Sequence, residues 1–139
     1  MPVPIAALAA PVGRFGRRDR LCRQRQVRRV LRRGVRRQGA HLHLTVSAAV
    51  PPPQGRPRLA IAVGRAAGHA PARARLRRLV RAAFRALRPG WPTDAECVVA
   101  VRAPWPLARL ADLCAELHAL AAPVFAQWPP ADRPERRRP

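Results

Sequence analysis

Apolar and polar residues near the start of the chain follow the period of an amphipathic helix. A helix is predicted over residues 20–33, with Asp19 as its N-cap and Gly34 as its stop. One side of this helix carries Leu21, Gln24, Val27, Val30 and Leu31, and the other carries Arg25, Arg28, Arg29, Arg32 and Arg33. The pattern therefore predicts a helix that packs through one side and has a basic outer face.

Three later segments have the patterns of strands. Residues 41–46 alternate between apolar and polar, whereas residues 58–63 and 96–101 are apolar runs of strand length. The span between Gly34 and Ala49 has room for a further short strand. A sheet of three or four strands is therefore expected.

Two more helices are predicted from the spacing of apolar residues. The stretch 69–85, HAPARARLRRLVRAAFR, is expected to be helical, with Pro71 in its first turn. One half of this helix is apolar, and the other half is almost entirely arginine. The last helix is indicated by Leu107, Leu110, Leu113, Cys114, Leu117 and Leu120, and it is expected to end near Ala121.

These elements predict a single domain of the α/β (α+β) class. The order is α-β-β-(β)-α-β-α, which favours a two-layer sandwich of helices against one sheet, while the pattern leaves parallel and antiparallel pairing open. We expect a flexible lead at residues 1–17, one domain at 18–121, and a disordered Pro/Arg-rich tail at 122–139.

Composition adds an unusual charge to this fold. The chain of 139 residues carries 28 basic residues, all of them arginine, against 7 acidic residues, a formal net charge of +21. The absence of lysine is consistent with GC-rich codon use, but the excess of bases over acids calls for a partner. An abundant polyanion fits best, and nucleic acid fits better than an anionic membrane.

The arginines of the second predicted helix have no acidic neighbours. Like charges at Arg73, Arg77, Arg81 and Arg85 repel one another by a few tenths of a kcal/mol per pair, roughly, where a solvated helix would include glutamates. The planar guanidinium can bond two phosphate oxygens and can stack on exposed bases. This helix is therefore predicted to bind an external polyanion.

The cysteines and the apolar runs point to a cytoplasmic protein. Cys22, Cys97 and Cys114 match neither a zinc spacing nor a disulfide framework, so we expect reduced thiols. No apolar run reaches the roughly 18 residues of a membrane span, and no signal peptide is indicated. Neither a membrane partner nor an obligate protein partner is predicted.

The segment RLAIAVGRAAGHAPARARLRRLVRAAFR, residues 58–85, resembles the signature of the protein component of bacterial ribonuclease P. That signature is an R-x-G-I-x-V-S strand, a K-x-G-N-A-V turn and an R-N-R-x-K-R-x-x-R helix. RLCRQRQVRRVLRRG, residues 20–34, and ECVVAVR, residues 96–102, are similar to the family's first helix and to its D-x-V-V-x-A-R strand. The chain departs from the family at Ala66, His69 and Ala74, and it has Val27 and Leu31 in place of two phenylalanines.

The resemblance implies a ribosomal protein S5 domain 2-like fold with a left-handed βαβ crossover. It also implies an accessory subunit of the endoribonuclease that removes the 5′ leader of precursor tRNA. The partners would be the catalytic RNA and the precursor tRNA. The cofactor would be Mg²⁺ held mainly by the RNA, and the protein would contribute no catalytic residue.

Two sets of site residues are carried over from the family's motifs. The resemblance assigns binding of the catalytic RNA to Arg65, Arg73, Arg75, Arg77, Arg78, Arg81 and Arg85. It assigns the cleft for the precursor leader to Arg20, Val27, Leu31, His43 and Arg102. No metal ligand is predicted, because His41 and His43, which would share one face of a strand, lack a third partner.

Three other functions fit parts of the pattern. A basic ribosome-associated protein, the main alternative, would share the charge but would have no role in tRNA processing. A DNA-binding architectural protein would prefer duplex DNA. A self-sufficient nuclease would need paired carboxylates for two metal ions, which the scattered acids do not offer.

Overall fold

The computed structural model describes residues 15–49 and 55–130. Its helices and strands, in chain order, are α1 (Gln24–Arg33), β1 (Val35–Gln38), β2 (Leu42–Ala48), β3 (Arg58–Val63), α2 (Ala70–Leu87), β4 (Ala95–Val101) and α3 (Leu110–Phe125). The mixed α/β class and the predicted order, including the additional strand β1, are confirmed. Most of the predicted lead and half of the predicted tail, residues 131–139, lie outside the described residues.

The strands form one mixed sheet in the order β1-β2-β4-β3. β1, β2 and β4 pair antiparallel, whereas β3 pairs parallel with β4 along its whole length. Helix α2 connects these two parallel neighbours, so β3-α2-β4 is a βαβ crossover connection. The family resemblance predicts that this connection is left-handed. β3 is an edge strand, which leaves its outer side available to other parts of the chain.

Alternation along the strands separates two faces of the sheet. α2 and α3 cover one face, where Leu44, Val99 and Phe84 are completely buried. α1 lies on the opposite face, where Val30 packs against Val98 in a second, smaller cluster. The expected sandwich is thus present, and α1 adds a partial cover on the other side.

Gly34 explains why α1 turns directly into β1. A Cβ atom at this position would lie 2.5 Å from the Val30 carbonyl oxygen and 2.8 Å from the Val46 carbonyl oxygen. Such contacts are far inside van der Waals distance, so only glycine lets the chain pass this close to β2. The predicted stop of the first helix at Gly34 is correct for this reason.

The beginning of the first helix differs from the prediction. α1 starts at Gln24 after Arg23 in an extended conformation, and Asp19 lies in a short 3₁₀ turn instead of at the N-cap. The intervening residues are extended because the Leu21 N–H donates to the Leu59 carbonyl of β3, at 3.0 Å. Tertiary pairing has therefore replaced the first turn that the local pattern favours.

The last helix is displaced toward the C-terminus relative to the prediction. Leu107 is 85% exposed and precedes the helix, which begins at Leu110 and ends at Phe125. The ring of Phe125 lies 5.1 Å from Trp91 and 5.3 Å from Trp128, measured between centroids. Packing of these aromatic rings carries the ordered domain past residue 121, the predicted domain end.

No helix within residues 15–49 and 55–130 is both long enough and apolar enough to cross a bilayer.

Candidate nucleic-acid interface

A pocket of about 530 Å³ lies at the outer edge of β3. The segment before α1 forms one wall, and α1 and α2 form the others. Its lining consists of Phe15, Arg20, Leu21, Cys22, Val27, Leu59, Ala60, Ile61, Ala62, Arg77, Arg81 and Val98. The floor is therefore apolar, and the charged groups at its rim are all guanidinium groups.

An ion-paired carboxylate holds the wall before α1 in place. Asp19 accepts the Gly16 N–H at 2.7 Å, and its side chain is paired with Arg88 at 2.9 Å and Arg56 at 3.2 Å. Burial opposes ionisation of Asp19, but the Gly16 hydrogen bond and the two guanidiniums outweigh burial, so its pKa lies below the ordinary value. Asp19 thus joins the wall to Arg88, the residue directly after α2, and to the loop before β3.

Phe15 is the aromatic residue of this pocket. Its ring stands edge-on to Phe84, with centroids 5.8 Å apart. The guanidinium carbons of Arg20 and Arg81 lie 5.6 and 6.0 Å from the Phe15 centroid, within cation–π range. Phe15 is not among the predicted site residues, because no local sequence pattern distinguishes it from the rest of the predicted flexible lead, residues 1–17.

The outer edge of β3 supplies backbone groups to the pocket. The carbonyl of Leu59 accepts from Leu21, and the carbonyl of Val63 accepts from Arg77 Nη2 at 3.3 Å. Because backbone groups alternate sides along a strand, the N–H and C=O of Ile61 point the same way, between these two bonds. Among the described residues, only the Arg20–Leu21 segment pairs with this edge through its backbone. A ligand in the pocket can therefore reach the Ile61 backbone.

The predicted arginines of α2 separate into groups. Arg77 and Arg81 line the pocket, whereas the Arg75 Nη2 donates to the Ala108 carbonyl at 2.5 Å and ties α2 to the loop before α3. Arg78 is exposed on α2, and Arg65 is exposed in the turn before it. That turn ends at Gly68, whose φ of 128° favours glycine. Arg73 and Arg85 are half-buried on the same helix.

Only some of the residues predicted for the leader cleft line the pocket. Arg20 and Val27 line the pocket, but Leu31, His43 and Arg102 are not among its lining residues. Leu31 is one turn beyond Val27 on α1 and is 37% exposed. His43 is opposite Ala100, which is opposite Ala62 of the pocket, so the three form a row across the sheet. Arg102 is exposed directly after β4.

The two histidines considered as a metal pair do not share a face. His41 precedes β2, and its Nδ1 lies 3.0 Å from Glu116 of α3, while its ring stacks on Trp105 at 3.8 Å. His43 lies within β2 and alternates away from the buried Leu42, which faces α3. The expectation of a shared face is wrong because the strand begins one residue after His41.

The five described acidic residues all have partners within the protein. Asp19 pairs with two arginines, Glu96 with Arg29, and Asp94 accepts the Trp128 indole N–H at 2.8 Å. Asp112 and Glu116 accept backbone N–H groups at the start of α3 and of β2. No group of three or more His, Cys, Asp or Glu residues within the described ranges is arranged to hold a metal ion.

We predict that one cysteine will react with a maleimide and that RNA will block the reaction. Cys22 is exposed and lines the pocket, whereas burial raises the pKa values of the Cys97 and Cys114 thiols, which keeps them protonated and slow to react. Mass spectrometry of the native chain should show one modified site, and a single-stranded RNA in the pocket should slow that modification about tenfold. Equal labelling of all three cysteines before unfolding would contradict the buried placement.

A protein-family model described as Ribonuclease P matches residues 15–124 of the chain. This chain belongs to the ribonuclease P protein family. The matched span includes every described helix and strand, apart from the last residue of α3. Family membership implies a role in tRNA 5′ processing within an assembly that contains RNA.

Solved structures of ribonuclease P proteins show the same fold. The Staphylococcus aureus protein at 2.0 Å matches with a TM-score of 0.65 and 18% identity, over 77% of this chain and 97% of that one. A Staphylococcus aureus mutant with defective mRNA degradation activity matches with a TM-score of 0.66 and 15% identity, over 76% and 86%. The Thermotoga maritima protein matches with a TM-score of 0.61 and 23% identity, over 73% and 93%. None of the curated proteins matches the chain by sequence.

Proposed function

We propose that this chain is the ribonuclease P subunit that binds the catalytic RNA and the 5′ leader of precursor tRNA and assists Mg²⁺-dependent removal of the leader. The observation that carries the proposal is the pocket at β3. There, arginines of the α2 motif and residues of the predicted leader cleft meet around one apolar floor. The spacing of these residues in the sequence does not by itself require the α2 arginines and the leader-cleft residues to lie in one pocket.

Single-stranded RNA suits the chemistry of the pocket. Phosphates of the leader would bond to Arg20, Arg77 and Arg81, and a base would lie on the apolar floor beside the Phe15 ring. The volume of about 530 Å³ is within the roughly 300–1,000 Å³ typical of ligand pockets. Leu31 and His43 would extend this contact along the sheet, and we assign Arg102 to the same strand of RNA.

The remaining arginines of the α2 motif would hold the catalytic RNA. Arg65 and Arg78 are exposed outside the pocket, and we assign Arg73 and Arg85 to the same surface. Arg75 would act mainly as a positioning residue, because its guanidinium is bonded to the Ala108 carbonyl. The protein would thus hold leader and catalytic RNA on adjacent sides of one helix.

The acidic side chains of the described residues do not fit a protein-held Mg²⁺ ion. Magnesium is usually held by one or two carboxylates together with several waters, whereas these carboxylates already bond arginines, an indole or backbone N–H groups. Within the described ranges, no group of three or more His, Cys, Asp or Glu residues is arranged to hold a metal ion. We therefore propose that the RNA holds the metal and that the protein positions substrate and neutralises phosphate charge. We also propose a cytoplasmic location, where the free cysteines would remain reduced.

The test is leader cleavage of a precursor tRNA by the ribonuclease P RNA of the same organism, at low Mg²⁺. The protein is expected to stimulate cleavage at least tenfold, because its arginines replace part of the screening that Mg²⁺ provides. The rate is measured by gel separation of labelled leader, with RNA alone, protein alone and both together.

The protein-alone lane and two binding measurements separate the alternatives from the proposal. Cleavage by the protein alone would indicate a self-sufficient nuclease. Tight binding to ribosomal particles, with no stimulation of cleavage, would favour a ribosome-associated protein. Preference for duplex DNA over both RNAs would favour an architectural DNA-binding protein.

A further inference from the structure

A second basic surface lies on the outer side of α1. We name it the α1 ridge and define it as Arg25, Arg28, Arg32 and Arg33 with the neighbouring Arg36 of β1, all of them exposed. Val30 marks the side of α1 that faces the sheet. At about 100° per residue, Arg25, Arg28 and Arg32 lie nearly opposite Val30 and point away from the sheet.

The α1 ridge is separate from the pocket at β3. Val27 lines the pocket from one flank of α1, whereas Arg29 on the other flank bonds Glu96 at 3.5 Å and the Ala48 carbonyl at 3.4 Å. The sheet also lies between α1 and α2, because the two helices pack on opposite faces. The ridge and the α2 arginines therefore face in opposite directions.

The ridge lowers the intrinsic stability of a short helix. α1 has ten residues, its N-cap Arg23 makes no side-chain cap hydrogen bond, and its first turn contains no acid. No aspartate or glutamate occurs anywhere between residues 20 and 48. Like charges three and four positions apart repel, and Arg25 near the N-terminus opposes the helix dipole. Neutralisation by an external anion would relieve both effects.

The side chains of the ridge indicate which class of anionic partner binds there. Residues 20–38 include no aromatic ring that could stack on unpaired bases, so a single strand would gain only charge contacts there. Insertion into a lipid surface would require a row of exposed apolar residues beside the arginines, whereas Leu31 is the single exposed large apolar side chain of α1. Guanidinium forks along a convex helix match the regular phosphates of a helical RNA backbone.

We propose that the α1 ridge binds the phosphate backbone of helical RNA, so that one protein molecule holds two RNA segments on opposite faces of its sheet. The α1 ridge would be a second RNA-binding surface, distinct from the pocket that we propose for the leader. Its partner would be a helical region of RNA, recognised by shape and charge.

The first experiment measures binding of the full chain to a blunt RNA duplex of about 20 base pairs, a length longer than one turn of contacts. Because the Arg65/Arg78 surface can bind the same duplex, affinity is measured in the Arg65→Gln/Arg78→Gln background. There, adding Arg25→Gln/Arg28→Gln/Arg36→Gln is expected to weaken duplex binding at least about tenfold. The slope of log affinity against log salt should fall by about 2 to 3, since each lost phosphate contact removes roughly 0.7–0.9. Glutamine retains helix propensity, so circular dichroism should be unchanged.

The matched control removes the same charge elsewhere. Arg17, Arg18 and Arg109 are exposed and lie outside both the α1 ridge and the pocket lining. The variant Arg17→Gln/Arg18→Gln/Arg109→Gln should keep duplex affinity within about threefold and the salt slope within about one. Equal weakening by both triple variants would show that only net charge matters, which would overturn the proposal.

A bridging experiment tests the two-sided arrangement. Donor- and acceptor-labelled duplexes should give energy transfer with the wild-type chain, with a maximum near one protein per two duplexes. The signal should disappear in the α1 ridge variant and also in Arg65→Gln/Arg78→Gln. Bridging that persists in the ridge variant, or tighter binding to phosphatidylglycerol vesicles than to duplex RNA, would overturn the proposal. Leader cleavage is a separate readout, so loss of that activity would test the proposed function and not the ridge.

Discussion

Reversing the two pocket arginines of α2, in the variant Arg77→Glu/Arg81→Glu, is expected to weaken binding of leader-containing RNA by at least about 100-fold. A hydrogen bond to a charged group contributes roughly 1.5–3 kcal/mol, so loss of two such bonds corresponds to more than two orders of magnitude. The glutamates add repulsion of phosphate. The salt slope should also fall by about 1.5, since two phosphate contacts are lost. Fluorescence anisotropy at several KCl concentrations measures both quantities.

The control for this variant is Arg17→Glu/Arg18→Glu. These two exposed residues belong to the same N-terminal wall but do not line the pocket, and the change in net charge is identical. Its affinity should fall by less than about tenfold, through long-range charge alone. Arg77 also bonds the Val63 carbonyl, so the unfolding midpoint of each variant must be compared. Equal losses of affinity in the two double variants would remove Arg77 and Arg81 from the site.

The elements with strong local patterns could be predicted from the sequence. The bounds of β3 were predicted correctly, because an apolar run ends at Gly64 on one side and follows a proline-rich loop on the other. The apolar half of α2 was also correct, since its Leu76, Val80 and Phe84 are buried. Period and composition decide such elements before any tertiary contact forms.

The pocket itself could not be predicted in this way. Its N-terminal wall is extended because Leu21 pairs with Leu59 and Asp19 pairs with Arg88, contacts between residues far apart in sequence. The local preference for aspartate at a helix N-cap predicted that role for Asp19. In the folded chain, Asp19 instead forms ion pairs with Arg56 and Arg88. Phe15 enters the site only as a consequence of that arrangement, so its role depends on the fold and not on a motif.

The second large effect is expected for Asp19→Asn, which removes the charge that anchors this wall. Asp19 is buried and Arg88 is mostly buried, so the variant leaves guanidinium charge without its carboxylate. Breaking a buried ion pair costs about 3–5 kcal/mol, and the partial exposure of Arg56 reduces this to roughly 2–4 kcal/mol. The melting temperature at pH 7 should fall by roughly 10 °C.

The matched control for Asp19→Asn is Asp112→Asn. The Asp112 carboxylate is exposed and accepts the Arg109 backbone N–H at 3.0 Å. Its replacement should cost roughly 1 kcal/mol or less, in the range of a helix-capping interaction at the protein surface. The comparison separates the effect of the buried ion pair from the general effect of removing an acid from this basic chain.

The pH dependence of stability gives a sharper test of the Asp19 ion pairs. The pKa of Asp19 is lowered in the folded protein, so its stabilising contribution is complete above the unfolded-state pKa of about 3.9. The contribution is lost as the pH falls through the lower folded-state pKa, where the wild-type carboxyl also becomes neutral. Chemical denaturation from pH 7 to pH 2 should therefore show a stability difference between wild type and Asp19→Asn that is constant above about pH 5 and shrinks in acid.

A difference that stays the same at pH 2, or that is absent at pH 7, would mean that the charge of Asp19 does not anchor the pocket wall. Because that wall carries Phe15 and Arg20, the same variant should bind leader RNA more weakly at pH 7 while leaving duplex binding at the α1 ridge unchanged.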